Sequence, residues 1–168
     1  MAFSAALAFV LDEAGFAQVT TIDRDGFPVV RTMTAFLAPD WSVSLVQRNT
    51  HRRLDQWRRD PHTLVSWVGT PAPGASNERP HVFDLGLLPP RVVAIRGVAE
   101  PMPPEWTVAV YREQVTAQRA RGLDKAPPRT DEQVVAELVG VRIRPVRVRL
   151  EGFGEGAESH LWTVRRES

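Results

Sequence analysis

The spacing of apolar residues changes period several times along this chain, and each change marks an element. Residues 4–14 carry apolar positions at helical spacing, with Ser4 placed to cap and Gly15 just past the end, so a helix is predicted there. Residues 16–23 read as a strand, Asp25-Gly26 is a tight hairpin signal, and residues 27–37 form the returning strand. Pro39-Asp40 marks another turn, after which Trp41, Val43 and Leu45 fall on one face of a third strand. Residues 50–59 return to helical spacing. Asn49 or Thr50 is placed to cap, Leu54 and Trp57 form the apolar stripe, and Asp60-Pro61 stops the helix. Residues 63–68 read as a buried strand, and residues 91–100 as a strand apolar on both faces and interrupted by Gly97. Helices are predicted over 104–121, through Trp106, Val110 and Val115, and over 131–139. The last long strand, 141–151, is apolar at Val141 and Ile143 and then at Val146, Val148 and Leu150. Its phase flips across Arg144-Pro145, which predicts a bulge or a change of partner there. Trp162 and Val164 add a short terminal strand.

Six or seven strands joined mostly by hairpins, with helices between and at the ends, predict a mainly β, α+β architecture. The expected form is a small antiparallel barrel or half-closed sheet with helical flanks. No βαβ alternation and no internal repeat is present. The length, 168 residues, fits a single domain over 1–168. Within it, residues 69–90 form a loop rich in Pro and Gly, a candidate lid, and residues 101–140 a helical insertion. At 43% hydrophobic and 24% charged, the chain has the balance of a globular protein and not of a disordered one. No apolar run approaches a membrane span. The apolar opening, residues 1–10, has no basic flank and runs on into Asp12 and Glu13, so it reads as an amphipathic helix rather than a signal peptide; cytoplasm is expected. The absence of cysteine excludes disulfides, thiol catalysis and iron–sulfur clusters.

A net charge of +1 says nothing about partners, but its distribution does. Residues 48–59 hold Arg48, Arg52, Arg53, Arg58 and Arg59 against Asp55 alone. One reading is a solvated basic helix face. The other is an anion site, because a helix entry offers free N–H groups and guanidinium forks match phosphate oxygens. A nucleic acid is not expected, since these arginines have no aromatic platform among them. His51, His62, His81 and His160 have no metal-ligand spacing, and no metal is expected. Gly152-Phe153-Gly154-Glu155-Gly156 lacks the dinucleotide fingerprint and reads as a turn. Trp57, Trp67 and Trp106 sit at core-like positions, while Trp162 is a candidate to approach a bound ring.

The order and spacing of these pieces carry a resemblance. Pro28-Val29-Val30-Arg31 opens a strand, and Ser42-Val43-Ser44-Leu45-Val46-Gln47 forms the next. Arg48-Asn49-Thr50-His51-Arg52-Arg53 leads into a helix that ends at Trp57-Arg58-Arg59-Asp60-Pro61. Val92-Val93-Ala94-Ile95-Arg96-Gly97-Val98-Ala99-Glu100 follows, with its central Gly and trailing Ala-Glu. The arrangement resembles the flavin-binding split-barrel superfamily typified by pyridoxamine 5′-phosphate oxidase and its deazaflavin-using relatives, over residues 5–115. The resemblance implies a split β-barrel and a homodimer with cofactor sites between subunits. It implies that Arg31, Arg52 and Arg53 bind the cofactor phosphate, and that Thr32, Met33 and Thr34 pass beside the isoalloxazine ring. Gln47 and His51 stand where the family often has Thr and Ser, and both can hydrogen-bond.

The departures shape the functional expectation. Phe36 stands where the vitamin oxidase has a substrate-binding Lys, and the oxidase's C-terminal Arg-Leu-His signature has no counterpart here. The resemblance therefore implies an FMN-binding oxidoreductase acting on another small molecule by hydride transfer, with substrate and direction open. A deazaflavin-dependent reductase is the first alternative, and Arg48, Arg58 and Arg59 would then extend a groove for the longer cofactor. A non-catalytic flavin- or haem-binding protein is the second.

Overall fold

The computed structural model describes residues 2–69, 90–120, 122, 127–153 and 159–164. The predicted Pro-rich loop falls mostly outside the described residues, and with it the question of a lid. The first helix, α1 (Ala2–Ala8), runs into a π-helical turn over Phe9–Glu13. Eight strands follow: β1 (Ala17–Ile22), β2 (Pro28–Met33), β3 (Phe36–Leu37), β4 (Val43–Arg48), β5 (His62–Gly69), β6 (Arg91–Pro101), β7 (Leu138–Glu151) and β8 (His160–Thr163). Between them lie α2 (Arg53–Arg59), α3 (Pro104–Ala120) and α4 (Asp131–Glu137).

All eight strands form one antiparallel sheet in the order β2-β1-β5-β6-β7-β4-β3, with β8 added beside β7. Chain continuity makes this sheet curl. The two ends of the order, β2 and β3, are three residues apart in sequence, so the sheet bends round until they approach. Among the described residues no ladder joins β2 to β4, and the result is a half-barrel with a split. Its interior is filled by period-2 positions: Val43 and Leu45 of β4, Val65 and Trp67 of β5, Val93 and Ile95 of β6, Val148 and Leu150 of β7. Burying each such aliphatic side chain contributes about 1.5–3 kcal/mol.

The predicted phase flip in the last strand is a bulge. Arg96 pairs with Arg147 but Gly97 pairs with Pro145, leaving Val146 over. Pro145 has no N–H to donate to the ladder. Gly97 lets β7 come close: a Cβ there would lie 2.5 Å from the Arg144 carbonyl oxygen and 2.6 Å from Ile143 Cγ2.

Other expectations shift. Among the described residues there are eight strands, because the expected 27–37 strand divides into β2 and β3, and β8 is a full ladder partner. Helix α2 starts at Arg53 rather than at residue 50, with Arg52 at the cap position and no side-chain cap. Asn49, read as a cap, instead donates from Nδ2 to the Ala136 carbonyl at 2.7 Å. Trp41 is not part of the β4 face. It sits in the preceding turn at φ 65° and packs edge-on against Phe3 and Trp162.

Candidate functional site

The split between β2 and β4 is a groove of about 350 Å³. Thr32, Met33 and Thr34 line it from the end of β2, and Val46, Gln47 and Arg48 from β4. His51 and Arg53 close one end. Tyr111, Gln114 and Gln118 face it from α3, with Arg129 and Leu138 completing the wall.

Helix α3 lies across the groove because of one close contact. The Gly140 backbone N–H donates to Thr107 Oγ1 at 2.9 Å, and a Cβ on Gly140 would lie 2.6 Å from the Trp106 ring. Only glycine lets α3 sit this near β7. Spacings of three and four then place Tyr111, Gln114 and Gln118 on one helical face. The Tyr111 hydroxyl accepts from the Arg129 backbone N–H at 2.9 Å, and Arg129 Nε donates to Glu137 Oε2 at 2.8 Å, which ties residue 129 to the groove. A capping box on α4 fixes the adjoining turn: Thr130 Oγ1 accepts from Gln133 N, and Gln133 Oε1 accepts from Thr130 N.

Of the eight residues singled out from the sequence, six line this groove: Thr32, Met33, Thr34, Gln47, His51 and Arg53. Arg31 and Arg52 do not. Arg31 Nη1 donates to Thr21 Oγ1 at 3.0 Å and to Gln56 Oε1 at 3.1 Å, pinning α2 to the sheet. Arg31 is nonetheless near enough for its charge to act on both His51 and Arg53. Arg52 is exposed, and its carbonyl accepts from Asp55 N and Gln56 N at 3.1 Å each. Arg58 and Arg59 lie outside the groove as well, bonded to Asp55 and to the Ile22 carbonyl. Trp162 packs on Phe3 and Trp41 at 4.9 and 5.3 Å and does not reach the groove.

The electrostatics of the groove are one-sided. Arg48, Arg53 and Arg129 line it, and among the described lining residues there is no carboxylate, though Arg129 is paired with Glu137 beside the groove. Burial, and then the nearby Arg31 charge, hold the Arg53 guanidinium below its usual pKa. The His51 pKa is also pulled below 6.5, first by burial and then by the charges of Arg53, Arg48 and Arg31. Arg53 Nη2 lies 2.5 Å from His51 Nδ1. A guanidinium can only donate, so Nδ1 accepts and the imidazole proton sits on Nε2.

Unpaired polar atoms collect in the same place. Among the described residues, five buried side-chain atoms have no hydrogen-bond partner, and four belong to groove residues: Gln47 Nε2, Gln47 Oε1, Arg53 Nε and Gln114 Nε2. The fifth is Trp57 Nε1. Gln47 follows Val43 and Leu45 on the interior face of β4 and is 5% exposed. Buried polar atoms are normally paired, so a cluster of orphans marks a place for a polar ligand or ordered water. Among the described residues the outer edge of β2 has no ladder partner, which adds backbone groups beside Thr32. Such a groove can hold a molecule with an anionic end and a flat polar-edged body.

No protein-family profile and no curated protein matches the chain. Solved structures do. A haem-binding protein of Mycobacterium smegmatis superposes with a TM-score of 0.63 at 21% identity, over 97% of this chain and 58% of that longer one. A Listeria innocua protein described as pyridoxamine 5′-phosphate oxidase-like gives 0.59 at 19% identity, covering 89% of this chain and 98% of the other. An F420 reductase gives 0.55 at 18% identity, over 82% and 91%. Likeness at this identity shows the fold alone: the curled, antiparallel half-barrel with flanking helices described above is shared with these three proteins. No described helix is long and apolar enough to cross a membrane.

The side chains that the sequence did not suggest are those on α3 and the link after it: Tyr111, Gln114, Gln118 and Arg129. The available signal was the run of Tyr111, Gln114 and Gln118 at spacings of three and four along one face of the helix.

Proposed function

We propose that the chain binds FMN in the split groove and works as a flavin-dependent oxidoreductase on a small organic molecule other than pyridoxamine phosphate. The observation that supports this most is the coincidence of orphaned Gln47, Arg53 and Gln114 atoms with a carboxylate-free, arginine-lined wall. The residues fit the group. Arg53 and Arg48 suit the phosphate, and Gln47 offers one donor and one acceptor to a heteroaromatic edge. The volume lies within the range of roughly 300–1,000 Å³ usual for small-molecule sites. Bound flavin supplies the hydride chemistry. The chain's own part is to hold the phosphate with Arg53, keep His51 neutral as an Nε2–H donor, and exclude water beneath α3. Exposed Phe27, Val30 and Val68 support the homodimer that such a site would complete.

A deazaflavin coenzyme is the second reading, favoured by Arg48 and Arg129 extending the cationic wall beyond Arg53. A haem carrier finds less support: among the described residues His51 is the one histidine in the groove, and with Nδ1 accepting from Arg53 its Nε2 carries the proton and offers no lone pair to iron. The test is a titration of flavin-free protein with FMN and with riboflavin, which lacks the phosphate. A charge-assisted hydrogen bond contributes about 1.5–3 kcal/mol. FMN is therefore expected to bind roughly 10- to 150-fold more tightly than riboflavin, and Arg53→Ala should remove most of the difference. Equal affinity for both flavins, or an Arg53→Ala variant that still discriminates, overturns the phosphate assignment.

A further inference from the structure

A second cavity, about 310 Å³, adjoins the groove and shares Thr34 and Gln118 with it. We infer that this cavity is the binding site for a small, uncharged, apolar or aromatic molecule, which on the flavin reading would be the reaction's organic partner. Its place beside a cofactor rests on that reading; its ligand chemistry does not.

The π-helical turn builds one wall. Ala14 N–H donates to the Phe9 carbonyl at 2.7 Å, a bond spanning five residues, and the turn presents Val10, Leu11 and Ala14 to the cavity. Such turns are rare and tend to occur where a helix must offer side chains out of regular register, often at functional sites. Phe36 and Leu37 of β3 make the opposite wall, just past the point where the expected long strand breaks. The third wall is α3 at Ala117, whose small side chain keeps the space open.

Among the described residues no charged side chain lines this cavity, in contrast to the three arginines next door. A charged ligand would lose its hydration here and gain no counter-charge, which is costly. The polar side chains in the lining are Thr34 and Gln118, both at the junction with the groove. A bound molecule thus meets apolar walls along its body and polar partners only at the end nearest the groove. The volume is at the lower limit for small-molecule sites, enough for a neutral aromatic molecule of two or three rings.

The probe is N-phenyl-1-naphthylamine, a neutral dye that fluoresces when it leaves water. It is titrated into flavin-free and FMN-loaded wild-type protein, and into Ala117→Trp, which fills the cavity from an exposed helix position. Saturable binding at one dye per chain is expected, weakened at least tenfold by Ala117→Trp, with energy transfer from dye to FMN in the loaded protein. FMN affinity of Ala117→Trp should stay within twofold, because Ala117 does not line the groove. Phe36→Lys provides a second variant: it should weaken the neutral dye and admit an anionic one, 1-anilinonaphthalene-8-sulfonate. No saturable dye binding, or binding unchanged in both variants, overturns the inference. So does dye binding that disappears as the chain self-associates, which would assign the cavity to a second copy seated on Leu11 and Phe16. Dye binding without FMN binding leaves the cavity standing and removes the flavin reading; FMN binding without dye binding does the reverse.

Discussion

Replacing Gln47 by Leu should stabilise the flavin-free protein and weaken its hold on FMN, two effects of opposite sign from one side chain. Gln47 occupies an interior position of β4, is 5% exposed, and has neither amide atom paired. An unpaired buried polar atom costs about 1–3 kcal/mol. Water in an open groove offsets part of that, so Leu, of similar volume, should gain about 1–2 kcal/mol in the flavin-free state. At about 2–4 °C per kcal/mol for a chain of this size, Tm should rise by about 2–8 °C. Bound FMN would supply the missing partners. Losing one or two such bonds should cost about 1–3 kcal/mol of binding, a fall in affinity of roughly 5- to 150-fold. Thermal unfolding without flavin and an FMN fluorescence titration measure the two arms. A lower flavin-free Tm combined with unchanged FMN affinity refutes the reasoning, because Gln47 would then be satisfied within the protein and irrelevant to the ligand.

Other consequences can be checked alongside. Gly97→Ala places a Cβ 2.5 Å from the Arg144 carbonyl, a backbone atom that cannot step aside, and should destabilise by about 1–3 kcal/mol in chemical denaturation. Thr107→Val leaves the buried Gly140 N–H without its acceptor; a loss of about 1–3 kcal/mol is expected, accompanied by weaker FMN binding as α3 loosens over the groove. The folded-state pKa of His51 lies below 6.5, so below about pH 6.5 the unfolded chain binds more protons there than the folded one. Stability should therefore fall on acidification through that range. Phosphate or FMN in the groove should blunt the fall by neutralising the surrounding arginines, and His51→Gln should abolish this component; a His51→Gln profile identical to wild type would contradict it.

Much of the fold was legible because β-strands advertise their interior face. Val43 and Leu45 alternate in the sequence as they do in the core, residues 63–68 and 91–100 are strands as their apolar runs predicted, and the phase flip at Arg144-Pro145 became a bulge at Val146. The elements missed were those decided by tertiary contact. The π-helical turn follows the same apolar spacing as an ordinary helix. Thr50 looked like a cap, yet α2 starts three residues later because Asn49 is drawn to the Ala136 carbonyl at the end of α4. In the site, residues 32–34, 47, 51 and 53 lie at the end of β2, on β4 and at the entry to α2, and it was the resemblance that singled them out. Tyr111, Gln114, Gln118 and Arg129 arrive from far along the chain, by way of the Thr107–Gly140 contact, which no local pattern announces. Arg31, which the resemblance implied for the cofactor phosphate, does not line the groove and bonds instead to Thr21 and Gln56.

The central claim is that the split groove holds a phosphate-bearing flavin. The visible absorption spectrum of the purified protein, with the mass of whatever is released on denaturation, tests it most directly. The account expects a flavin spectrum and the mass of FMN, or uptake of added FMN by protein purified without it. A colourless protein that takes up no FMN would contradict the account and leave only the fold.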